Sequence, residues 1–115
     1  GGFSQGAMVA AEILRQGAVD GDRPLPAAVV LFSGALIAAR WWDGVHTSRA
    51  QAVPVFQSHG NTDRILPVAN GWALADCLAA AGFPVERHEF GGAHEIPATV
   101  QTAAAAFLDA RLRSV

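Results

Sequence analysis

Gly2-Phe3-Ser4-Gln5-Gly6 has the form G-x-S-x-G and stands directly before a segment of helical periodicity. The two glycines permit a sharp strand-to-helix turn, and such a turn lifts the Ser4 hydroxyl clear of the backbone. A serine hydroxyl is a poor nucleophile at neutral pH, so it needs a histidine to take its proton and an acid to orient that histidine. Both residue types follow downstream. Asp63 closes His59-Gly60-Asn61-Thr62-Asp63, and His94 closes Gly91-Gly92-Ala93-His94. The pentapeptide alone also fits a small-residue turn at a helix N-cap. Acid and base together, in this order, favour nucleophilic chemistry.

The elements that must position these groups follow from the hydrophobic pattern. Met8, Val9, Ala11 and Ile13 within 5–16 predict a mostly buried helix that stops at Gly17. Ala27 to Phe32 is apolar on both faces and reads as a central parallel strand. Residues 35–51 lack a clean period, carry Trp41-Trp42-Asp43-Gly44 and read as a surface excursion with an aromatic anchor. Val53 to Ser58 is a second strand, and Pro67 opens an amphipathic helix with Val68, Trp72, Ala75 and Ala79 on one stripe, ending at Gly82. Val85 to Phe90 places polar residues on both faces, as an edge strand does. Pro97 opens a last helix whose buried stripe is Val100, Ala104, Phe107 and Leu108, with Arg111 and Arg113 at its negative end.

This alternation predicts an open, mainly parallel α/β sheet with flanking helices. Asp63 and His94 then fall on loops at the C-terminal ends of successive strands. Serine, acid and histidine in that order along the chain is the α/β-hydrolase arrangement, unlike the orders in the chymotrypsin and subtilisin scaffolds.

Composition narrows the function classes. The 115 residues suffice for one domain and not for two. Hydrophobic residues make up 51% and charged residues 16%, which excludes a disordered or acidic solvating segment. Ten acidic residues against eight Arg and no Lys leave a formal charge of −2 and no basic stripe for nucleic acid. Cys77 stands alone, which excludes an intramolecular disulfide framework and a paired-cysteine zinc site. No apolar run is long enough for an integral membrane segment, and the chain is expected to be soluble and cytoplasmic.

A more specific resemblance rests on Gly1-Gly2-Phe3-Ser4-Gln5-Gly6, Ser33-Gly34, His59-Gly60-Asn61-Thr62-Asp63 with Leu66-Pro67, and Gly92-Ala93-His94-Glu95-Ile96-Pro97. Together they resemble the phospholipase/carboxylesterase family that includes the acyl-protein thioesterases. The resemblance implies that residues 1–115 are the C-terminal part of one α/β-hydrolase domain. Its N-terminal part, with the loop that supplies a second oxyanion donor, has no counterpart in this chain. Ser4 would be the nucleophile, His94 the general base and acid, Asp63 its orienter and the Gln5 N–H one oxyanion donor. The implied substrate is a small-molecule carboxylic ester or thioester, and no cofactor or metal is implied. A lactonase or small peptidase on the same fold, or a non-catalytic binding module, are the alternatives.

Other residues have two readings each. Trp41 and Trp42 either line a substrate pocket or anchor their loop. Leu66 resembles a family position near the acyl groove and equally suits a packing residue at the start of a helix. His59 lacks partners at metal-ligand spacing and is expected to hydrogen-bond within the turn that positions Asp63. His88 reads as a partly exposed strand residue, and Cys77 as a buried, inert thiol.

Overall fold

The computed structural model describes residues 1–113. Four strands, β1 (Gly2–Phe3), β2 (Val29–Phe32), β3 (Val55–Gly60) and β4 (Val85–Phe90), form one sheet in sequence order, every neighbouring pair parallel. Three helices connect and follow them: α1 (Gln5–Val19), α2 (Val68–Ala81) and α3 (Ala98–Arg113).

Strand alternation divides the core into two layers. Val29, Leu31 and Val55 face one side, where Ala7, Ala11 and Leu14 of α1 and Leu74, Leu78 and Ala81 of α2 cover them. Val30, Phe32 and Phe56 face the other, where Val100, Ala104 and Phe107 of α3 cover them. Each fully buried Leu or Phe contributes roughly 1.5–3 kcal/mol relative to exposure. The sheet is thus pinned from both faces, and β4 lies at its edge as its polar pattern predicts.

Several boundaries differ from the pattern reading. Helix α1 continues through Gly17 to Val19, and Leu25 packs against Gly17 so closely that a Cβ there would lie 2.4 Å from its Cδ2. The glycine is there for contact and does not stop the helix. Only one face of α1 is buried, since Val9 and Ile13 point away from the core. The strands begin two residues later than expected, at Val29 and Val55, and β3 extends to Gly60.

In α2 the buried stripe is Gly71, Leu74, Ala75, Leu78 and Ala81. Trp72 instead reaches the rim, where its ring N–H donates to Glu89 Oε1 at 2.8 Å. Small residues let the helix backbone approach the sheet, which a tryptophan on that stripe would prevent. Residues 35–52 contain two short 3-10 turns, Ala39–Trp42 and Ser48–Ala52.

Candidate active site

Because all strands run parallel, the loops leaving β1, β3 and β4 emerge at one edge of the sheet and carry Ser4, Asp63 and His94. Ser4 occupies φ 57°, ψ −118°, a conformation that costs about 1–3 kcal/mol for a residue with a side chain. Neighbouring backbone holds it there. Its N–H donates to the Phe32 carbonyl at 2.9 Å, and its own carbonyl accepts from the N–H groups of Ala7 at 3.0 Å and Met8 at 3.2 Å. The chain folds back so tightly that a Cβ on Gly2 would lie 2.2 Å from the Gly6 carbonyl carbon.

The Ser4 hydroxyl donates to His94 Nε2 at 2.9 Å, and His94 Nδ1–H donates to Asp63 Oδ2 at 2.7 Å. A carboxylate only accepts, so Nδ1 carries the proton and Nε2 presents its lone pair to the serine. The Asp63 side chain is fully buried, and its Oδ1 accepts from the N–H groups of Ile65 at 2.9 Å and Leu66 at 2.8 Å. Burial alone would raise the Asp63 pKa. The Leu66 N–H, the His94 ring and the Ile65 N–H outweigh it and hold the carboxyl below its usual range. Asp63 is therefore ionised at neutral pH. Gln5 opens α1, where the first N–H groups of a helix have no intrahelical acceptor and face outward with the positive end of the dipole.

Contacts invisible in the residue pattern tie the Asp63 loop to the His94 loop. Thr62 donates to the Gly92 carbonyl through both its N–H at 2.9 Å and its Oγ1 at 2.8 Å, and the Asn61 N–H donates to the Phe90 carbonyl at 2.9 Å. The Phe3 ring lies 4.9 Å from that of His94, centroid to centroid, and flanks the imidazole. Phe3 and Thr62 both stand inside the quoted motifs. Spacing alone assigns them no partner.

The other candidates fall as follows. His59 is buried and hydrogen-bonds within the turn that carries Asp63. Leu66 is half-buried and contacts the acid through its backbone. Trp42 is a core residue, so it anchors its loop and is not offered to a substrate. Trp41 lies under the Arg15 guanidinium, 5.6 Å from ring to cation, and Arg15 stands about 16 Å along α1 from Ser4. His88 is part-exposed and stacks on Phe56 at 4.4 Å. Burial, then the charges of Asp76 and Asp43, push the Cys77 thiol up, so it is protonated at neutral pH. No group of three or more His, Cys, Asp or Glu among the described residues could hold a metal ion. No helix among them is long and apolar enough to cross a membrane.

The phospholipase/carboxylesterase family model matches residues 1–112. The chain belongs to that family. No curated protein sequence matches it. Among solved structures, a protein of unknown function from Agrobacterium tumefaciens is 29% identical with a TM-score of 0.80, over 96% of this chain and 50% of its own. The esterase PE8 is 30% identical with a TM-score of 0.73, over 96% and 48%. Acyl-protein thioesterase 2 of Zea mays is 26% identical with a TM-score of 0.78, over 96% and 54%. This family member thus spans about half the length of the structures it matches, and its fold is that of an α/β-hydrolase.

Proposed function

We propose that the chain is the C-terminal part of one α/β-hydrolase domain and carries the catalytic groups of a serine esterase acting on small carboxylic esters or thioesters. The observation that carries this reading is His94 bridging Ser4 Oγ at 2.9 Å and Asp63 Oδ2 at 2.7 Å. Ser4 attacks the acyl carbonyl as Nε2 of His94 takes the hydroxyl proton, and the ionised Asp63 stabilises the imidazolium that forms. The Gln5 N–H donates to the oxyanion, and collapse with proton return from His94 expels the alcohol or thiol. A water deprotonated by His94 then attacks the acyl-enzyme and releases the acid, regenerating Ser4.

A fluorophosphonate probe, applied to the complete hydrolase domain that contains this chain, tests the reading. Covalent labelling of Ser4, with p-nitrophenyl acetate hydrolysis lost in Ser4→Ala, is the expected result. No labelling, or a Ser4→Ala variant retaining more than about a tenth of the rate, overturns it.

A further inference from the structure

His59 is fully buried on β3, on the face that meets α2. Its Nε2 lies 2.6 Å from the Leu66 carbonyl oxygen and 3.3 Å from Asp63 Oδ2, the oxygen that His94 also uses. A carbonyl oxygen only accepts, so Nε2 carries the proton. The other nitrogen, Nδ1, has no hydrogen-bond partner among the described residues and faces the Cα of Gly71, where a Cβ would come within 2.3 Å. A proton on Nδ1 would find no acceptor there. The Trp72 ring centroid lies 6.2 Å from that of His59.

Three links therefore form a closed circuit. His59 donates to the Leu66 carbonyl, the Leu66 N–H donates to Asp63 Oδ1, and the His59 donor also faces Asp63 Oδ2. The imidazole ties the loop from Asp63 to Leu66 back to the rigid strand that precedes it, and so fixes both carboxylate oxygens.

We propose that His59, as its Nε2–H tautomer, is a positioning residue for the orienting acid: it clamps Leu66 and Asp63 so that Oδ2 meets His94. The proposal rests on the serine-esterase reading. Its role acts through Asp63 and does not touch the substrate, so its loss should appear in kcat and leave KM nearly unchanged.

The test compares two amides in the complete hydrolase domain, with p-nitrophenyl acetate as substrate. A glutamine amide nitrogen reaches about as far as imidazole Nε2, whereas that of asparagine reaches only to the Nδ1 position. His59→Asn should lower kcat on the order of 10²-fold with KM little changed, and His59→Gln should restore most of it. Equal impairment of the two variants, or full activity of His59→Asn, overturns the proposal. Ser4→Ala runs alongside: if it stays active, the esterase reading fails instead. Nitrogen-15 NMR of the wild-type protein at pH 7 needs no variant to fold and no activity. A proton on Nε2 of His59 is expected, and a proton on Nδ1 overturns the clamp.

Discussion

Thr62 and Gly92 are joined twice, the Gly92 carbonyl accepting from the Thr62 N–H at 2.9 Å and from its Oγ1 at 2.8 Å. One carbonyl thus ties the loop bearing Asp63 to the loop bearing His94. Thr62→Val keeps the shape and the backbone bond but removes the hydroxyl. The expected cost is about 1 kcal/mol in urea unfolding, with a severalfold fall in esterase kcat, because Thr62 is exposed and water replaces part of the lost bond. Stability unchanged and kcat unchanged would show that the backbone bond alone aligns the loops.

Gly60 lies where the same two loops touch: a Cβ there would come within 2.3 Å of the Ala93 carbonyl oxygen and 2.4 Å of that of Gly92. Both obstacles are backbone, which cannot swing aside as a side-chain end can. Gly60→Ala should therefore move the His94 loop away from Asp63, lower the melting temperature and reduce turnover on the order of 10²-fold. A crystal structure of the variant with the His94–Asp63 contact still at 2.7 Å would contradict this.

Ser4→Ala should remove turnover by roughly 10⁴-fold or more while leaving the fold intact. Ser4→Gly should be as inactive but more heat-stable than Ser4→Ala, because glycine adopts φ 57° without the Cβ clash. Differential scanning calorimetry of the two dead variants reads the strain at the elbow directly.

Asp63→Asn should present the wrong partner to His94 Nδ1 and cost roughly 10⁴-fold in kcat. The substitution also changes the response to acid. The Asp63 pKa is lowered in the folded protein, so the stability it contributes is fully present above the ordinary carboxylate pKa of about 4 and is lost as pH falls through the lowered value. Melting temperatures from pH 2 to 7 should fall less steeply on the acid side for Asp63→Asn than for the wild-type protein. Parallel curves would mean that the Asp63 carboxyl is not held ionised by its partners.

The order of elements was legible in the sequence because apolar runs, proline starts and polar edge patterns are local properties; β4 begins where those signals place it and α3 one residue later, at Ala98. The grouping of Ser4, Asp63 and His94 was legible for a related reason. In a parallel sheet every strand ends at the same edge, so residues just after strands meet whatever the lengths between them. Their hydrogen-bonded geometry was not. It depends on distances across up to 90 residues of chain, which no window of sequence contains. Tertiary packing alone decided that Gly17 sits inside a helix against Leu25, and that Trp42 belongs to the core while Trp72 reaches the rim. It also decided how His59 is used. An imidazole may donate, accept or bind a metal, and only the Leu66 carbonyl on one side and the bare Cα of Gly71 on the other assign its proton.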